Sequence, residues 1–131
     1  MDALVRHPKV GASWEGFALA TIVHHLGADP RECFFWRTHT GAELDLLVVR
    51  GRHRLGFEFK LTSAPATTPS ARAALEYLKL DRLDVVHAGG RTFPLGERIR
   101  AMALSRMSED LPPLDRTLAT RRRRTSSGGD R

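Results

Sequence analysis

An α/β fold on a mixed sheet is what this sequence predicts, and three features predict it. A stretch of helical period comes first. Three short strands rich in aromatic and branched aliphatic residues follow, separated by turn residues. A second helical stretch then precedes one more apolar run, which ends in Gly89-Gly90. Helix, β-meander, crossover helix and strand is the order that covers a mixed sheet with helices, since a crossover joins parallel neighbours and lays a helix on the sheet.

Residues 13–26, SWEGFALATIVHHL, read as the first helix. Ser13 can cap its start, and Gly27 supplies the left-handed residue that often closes a helix. Glu15, Leu19, Ile22 and Leu26 fall on one stripe at spacings of four, three and four. That puts Glu15 on the first turn of an otherwise apolar face. Two readings of it stand open: a carboxylate turned inward, or an acid favoured by the helix dipole at an N-terminus.

Residues 33–38, CFFWRT, read as a strand from their aromatic content. Thr38-His39-Thr40-Gly41 makes a turn, and Glu43–Arg50 and Arg54–Lys60 read as two more strands. The loop 61–69, LTSAPATTP, carries two prolines, and Ser70 is expected to cap a helix of eleven residues, SARAALEYLKL, with Leu75 and Leu78 among its apolar positions. Leu83–Ala88 is a short strand. Arg91–Pro94 and Arg98–Leu104 are candidate final strands, and Leu111-Pro112-Pro113-Leu114 ends the ordered part.

The 131 residues fit one small domain. No run approaches the roughly 20 apolar residues of a membrane helix, and the opening MDALVRHPKV lacks the apolar centre of a signal peptide. A lone cysteine, Cys33, rules out an internal disulfide and suits a cytoplasmic address. Among apolar neighbours it reads as a small buried hydrophobe rather than a nucleophile. The formal charge of +6 is unevenly spread: residues 1–115 carry 15 basic and 14 acidic side chains, whereas residues 116–131 carry six arginines and one aspartate. The expected division is a domain over 1–110 and a basic, disordered tail over 111–131. In that tail Arg121, Arg122, Arg123 and Arg124 can attract nucleic acid by charge alone.

The segment Gly41–Lys60 holds Glu43, Asp45, Glu58 and Lys60 among its leucines, valines and phenylalanines. As a hairpin it turns at Gly51-Arg52, with glycine where a type II′ turn wants it. Arg50 then pairs with His53, which sets Asp45 opposite Glu58 and Glu43 opposite Lys60, all on one face. Leu44, Leu46, Val48, Leu55, Phe57 and Phe59 fall on the other face, the expected core surface. Opposed carboxylates with Cβ atoms about 4.5–5.5 Å apart repel, so a cation must sit between Asp45 and Glu58 or one of them must hold a proton. Lys60 brings one positive charge, and a divalent metal would bring more. Mg²⁺ or Mn²⁺ is held by one or two carboxylates, with water and substrate phosphate completing the shell. Asp45 and Glu58 are two such ligands, the Phe59 carbonyl offers a third oxygen, and Glu15 adds a carboxylate if the first helix packs on this face. Lys60 would orient or help deprotonate a water. That layout suits metal-assisted phosphodiester cleavage. The plainer reading of the same residues is a surface ion-pair ladder, Glu43 with Lys60 and Asp45 near an arginine.

The six histidines show no spacing of a zinc site. His24 and His25 read as surface groups at a helix end, and His39 as a turn former that can approach a phosphate. Thr62 and Ser63, just after Lys60, are candidates to touch a nucleic-acid backbone. Phe35 and Trp36 read as core.

The stretches WEGFAL, FFWRTHTGAELDLLV and FEFKLT, in this order and spacing, resemble the PD-(D/E)XK nuclease-like superfamily, with a helix-borne Glu, an Asp on one strand and (D/E)-x-K on the next. More narrowly they resemble the domain of unknown function that follows the ATPase core in a large family of prokaryotic AAA+-type ATPases. The resemblance covers roughly residues 7–104. It implies a restriction-endonuclease-like core with the sheet in αβββαβ order. It also implies Glu15, Asp45, Glu58 and Lys60 as the catalytic set, with Asp45, Glu58, Phe59 and Glu15 around Mg²⁺ or Mn²⁺, DNA as substrate, and a P-loop ATPase as partner. Glu43 matches a second acidic position of the narrower family. The chain carries no G-x-x-x-x-G-K-[ST] phosphate loop, so it is expected to be a truncated or stand-alone form of that domain. Two functions follow: a Mg²⁺-dependent nuclease-like domain acting on DNA, or a non-catalytic accessory domain of an ATPase system that binds nucleic acid or a protein.

Overall fold

The computed structural model describes residues 3–6 and 13–114. Among the described residues there are three α-helices, α1 (Trp14–Leu26), α2 (Pro69–Tyr77) and the short α3 (Met107–Asp110), and seven strands: β1 (Ala3–Arg6), β2 (Cys33–Arg37), β3 (Glu43–Arg50), β4 (His53–Lys60), β5 (Arg82–His87), β6 (Phe93–Gly96) and β7 (Ile99–Ala103). The strands form one mixed sheet in the order β1-β2-β3-β4-β5-β7-β6. Pairing is antiparallel from β1 to β4, parallel from β4 through β5 to β7, and antiparallel again between β7 and β6. The expected α/β class, with the expected run from α1 to β5, is therefore the fold, with β1 added at its start.

Local chemistry sets the helix ends. The Ser13 hydroxyl accepts the Gly16 amide proton at 3.1 Å, and Gly27 closes α1 at φ 72°. The start of α2 differs from expectation. Thr68, not Ser70, is its cap, accepting from Ala71 N–H, and Pro69 takes the first position. There a missing amide proton and a fixed φ are no handicap. The Ser70 hydroxyl instead accepts the Glu43 amide proton at 3.4 Å and ties this helix end to β3.

Both sheet faces are covered. Ala18, Ile22 and Leu26 of α1 pack with Leu46, Val48, Phe57, Phe59, Val86, Met102 and Leu111. Ala71, Ala74 and Leu75 of α2 pack with Leu44, Leu47, Leu83, Val85 and Ile99. The expectation of one core face and one charged face is corrected here, because Leu47 and Val49 alternate with Leu46 and Val48 to serve the second core. Leu44 sits with Leu47 rather than with Leu46 because the β2–β3 pairing is irregular between them. Cys33 is buried, as expected. Within the sheet Asp84 is 1% exposed and receives the Arg100 guanidinium at 2.8 and 3.2 Å. The packed unit reaches past residue 110: Leu111 is buried, its carbonyl lies 2.6 Å from His25 Nε2, and Leu114 N–H donates to the Leu26 carbonyl. His25 is thus a tie to this segment rather than a surface group. No described helix is long and apolar enough to cross a membrane.

Candidate functional site

The β3–β4 hairpin has the register read from sequence, Arg50↔His53 through Leu46↔Phe57. The ladder ends there. Asp45↔Glu58 and Glu43↔Lys60, the pairs expected next, are absent from it. β3 continues beside β2 instead, with Leu44↔Trp36 and Glu43↔Arg37, and between Phe34↔Leu47 and Trp36↔Leu44 it advances three residues against two. Such a bulge puts an extra residue on one strand and re-aims the side chains around it. It returns Leu44 to the face of Leu47 and places Asp45 where β3 and β4 part. Glu43 accordingly finds Arg37, at 3.9 Å between exposed side chains, and not Lys60.

Asp45 turns its carboxylate back to β4, where Oδ2 accepts the Phe59 amide proton at 2.9 Å. Burial pushes this carboxyl up. The Phe59 amide pulls it partly back, Glu15 and Glu43 push it further up, and Lys60 opposes them. Glu58 is 6% exposed, and its Oε1 is buried without a hydrogen-bond partner. Its pKa is pushed up to about 7, first by burial, then by the Asp45 charge, with Lys60 pulling down. The repulsion read from the sequence is therefore present, although the two carboxylates are not a ladder pair.

Glu15 is exposed on α1 and lines a groove of about 290 Å³ with Phe35, Arg37, Glu43, Asp45 and Phe59. It is exposed rather than turned inward, stands in the first turn of α1, and its charge raises the Asp45 carboxyl. Glu58 and Lys60 are not part of that groove's lining. Lys60, exposed, ends β4 and pairs with His87 of β5. Thr62 and Ser63 are exposed on the loop that follows, which is stitched down by Thr62 N–H to the Lys60 carbonyl and by Ala88 N–H to the Thr62 carbonyl. His39 is exposed and lines a separate small cleft with Trp36 and Tyr77. Arg121–Arg124 lie outside the described residues.

Among the described residues no three His, Cys, Asp or Glu side chains form a group fit to hold a metal ion. A smaller set could hold one: the Asp45 and Glu58 carboxylates with the Phe59 backbone. This is the protein contribution Mg²⁺ accepts when water and substrate phosphate complete six oxygens. A buried carboxylate oxygen without a partner, on a group whose proton affinity is raised by a second carboxylate, is the chemistry a divalent ion relieves.

Sequence reading passed over one polar group here. His87 is fully buried beside Lys60, with its Nε2 unpartnered. Its only signal was a histidine at the end of an apolar strand just before Gly89-Gly90.

Two curated relatives, uncharacterized proteins of Mycobacterium bovis and Mycobacterium tuberculosis, are each 45% identical over 100 residues, which is 76% of this chain and 22% of theirs. The chain thus spans about a fifth of their length. No solved structure matches it. The family model for a domain of unknown function, DUF4143, matches residues 10–107, from just before α1 to the start of α3, and the chain belongs to that family.

Proposed function

We propose that this domain is a Mg²⁺-dependent nuclease-like module that acts on DNA phosphodiesters. The observation that supports it best is the pair of carboxylates at the mouth of the parting strands. One is bonded to the Phe59 backbone, and the other is buried with an unpartnered oxygen. In this reading Asp45, Glu58 and the Phe59 carbonyl hold the ion. Glu15 supports them from α1, and Lys60 orients a water or takes its proton. When bound, the ion supplies Lewis-acid stabilisation of phosphoryl charge and a more acidic water. Thr62 and Ser63 steady the backbone of the substrate, and Arg121–Arg124 add charge attraction to it. The restriction-endonuclease-like core belongs to this reading, as does the place of the domain beside a P-loop ATPase in a longer protein, and so does a cytoplasmic location.

Calorimetric titration with Mn²⁺ and Mg²⁺ tests it, with Asp45→Asn alongside the wild type. Binding heat that disappears in the variant is expected. Nicking of supercoiled plasmid is the second arm, with Lys60→Ala as the control that must lose it. A wild type that takes up no metal at millimolar concentration sinks the reading.

One observation favours a second reading. The described residues assemble no three-ligand metal group, as a non-catalytic accessory domain that binds nucleic acid or a protein partner would allow. Metal-independent DNA binding that survives Asp45→Asn would select it.

A further inference from the structure

His87 and Glu58 carry complementary unmet hydrogen bonds on one face of the sheet. In the parallel β4–β5 ladder, Glu58 pairs with Val85 and Lys60 with His87. In-register partners point to the same side, so Glu58, Lys60, Val85 and His87 share the α2 face. Strands about 4.8 Å apart with a two-residue step of about 6.6 Å separate the Glu58 and His87 Cα atoms by roughly 8 Å. Glu58 Oε1 and His87 Nε2 make no direct hydrogen bond in the structure, and a separation of that order suits one bridging water. Gly89 N–H donates to His87 Nδ1 at 3.0 Å, so the neutral ring bears its proton on Nε2. Nε2 is a buried donor without an acceptor, and Glu58 Oε1 is a buried acceptor without a donor. A Cβ at Gly89 would come within 2.9 Å of the Ser63 carbonyl and 3.0 Å of Nδ1, so a side chain there would press on both the 61–64 loop and the ring. A buried polar atom without a partner costs about 1–3 kcal/mol, and two of opposite sense on one face are most simply met by each other.

We propose that His87 is a positioning residue for the Glu58–Lys60 strand. Its Nε2–H, fixed by Gly89, is the donor that, through one bridging water, holds the Glu58 carboxylate in the orientation in which it would grip a divalent cation. This rests on the nuclease reading for its purpose but not for its geometry. A carboxylate that ligates a metal is usually itself held by an outer hydrogen bond, and loss of such a bond typically weakens metal affinity by 10- to 100-fold.

The test has two arms. In the first, Mn²⁺ affinity is measured by calorimetry for wild type, His87→Phe and His87→Gln, the last of which returns an N–H near the Nε2 position. We expect roughly tenfold weaker binding in His87→Phe and recovery in His87→Gln. Equal affinity in all three overturns the inference while leaving the metal site intact. The second arm uses metal-free protein and ¹⁵N spectra of the imidazoles. A His87 proton on Nε2 whose signal moves in Glu58→Gln supports the contact. A proton on Nδ1, or a signal indifferent to Glu58, overturns it. This arm decides the matter even if the wild type binds no metal and the nuclease reading fails.

Discussion

The Asp45 carboxylate accepts the Phe59 amide proton at 2.9 Å in the place where the next β3–β4 ladder bond would have formed. A side chain thus substitutes for backbone at the point where the strands separate, and the separation keeps a carboxylate, not a carbonyl, against the E-x-K strand. Asp45→Ala leaves the amide of buried Phe59 without its acceptor and is expected to cost about 1–3 kcal/mol. Asp45→Asn keeps an oxygen there and removes a like charge from beside Glu58, so its stability should fall within about 1 kcal/mol of the wild type or exceed it. Urea denaturation measures both. Equal stability of the two variants would mean that this bond does not hold the strands.

Glu58 makes stability depend on pH. Its carboxyl titrates near 7 in the fold against an ordinary 4.5, so between those values the folded state binds the extra proton. Its contribution to stability therefore rises as the pH falls through 7 and levels off below about 4.5, the reverse of an ion-paired carboxylate. A shift of this size corresponds to something on the order of 3 kcal/mol. In EDTA the melting temperature should climb from pH 8 toward pH 5, with Asp45 contributing in the same sense. Glu58→Gln should melt higher than the wild type at pH 8 and lose most of the slope. A variant that keeps the full slope would place its origin elsewhere.

Much of this arrangement was legible in the chain, and what was not has identifiable causes. The α1 caps, the hairpin turn at Gly51-Arg52 and the pairing of Arg50 with His53 follow from local residue chemistry, which the fold respects. The Asp45 bulge does not, because it is set by how Phe34 and Trp36 seat against β3, a contact between strands that a period of two cannot announce. The second core was missed for a related reason. Leu47 and Val49 share a parity with the charges, and only a second helix on that face makes them core. β1 has four residues and a single neighbour, too little for a pattern. Ser70 lost the cap to Thr68 because Pro69 prefers the first helical position, a rule that was available in the sequence. Whether the acidic residues lie close enough to repel was readable from spacing; that Glu58 is also buried was not.

Asp84 is the most constrained charge outside the site. It is 1% exposed and takes two bonds from Arg100, with Arg82 at 3.6 Å. The guanidinium of Arg100 also reaches the Asp110 carbonyl at 3.2 Å, so β5, β7 and α3 meet through it. Removal of one partner strands a buried charge, which typically costs 3–5 kcal/mol. Arg100→Met, which leaves the 1%-exposed Asp84 carboxylate, should therefore destabilise by about that much, and Arg100→Met combined with Asp84→Ala by less. A cycle of the two single variants and the double, followed by thermal melting, gives the coupling. Additive losses would show that the pair is not linked.

The end of the packed unit can be located by truncation. Leu111 fills the α1-side core and is bound through its carbonyl to His25, and Leu114 N–H caps the Leu26 carbonyl at the end of α1. A chain ended after Asp110 loses a buried leucine and both ties. By analogy with large-to-small core substitutions it should lose roughly 2–5 kcal/mol. A chain ended after Asp115 keeps all three and should melt close to the full protein. It lacks the six arginines of residues 116–131, however, so its DNA affinity should fall and its salt dependence flatten. Each phosphate contact removed reduces the slope of log K against log salt by about 0.9. If this longer chain melts well below the full protein, residues beyond 115 contribute to the core. If its salt slope is unchanged, the arginines do not touch the nucleic acid, and their charge serves some other end.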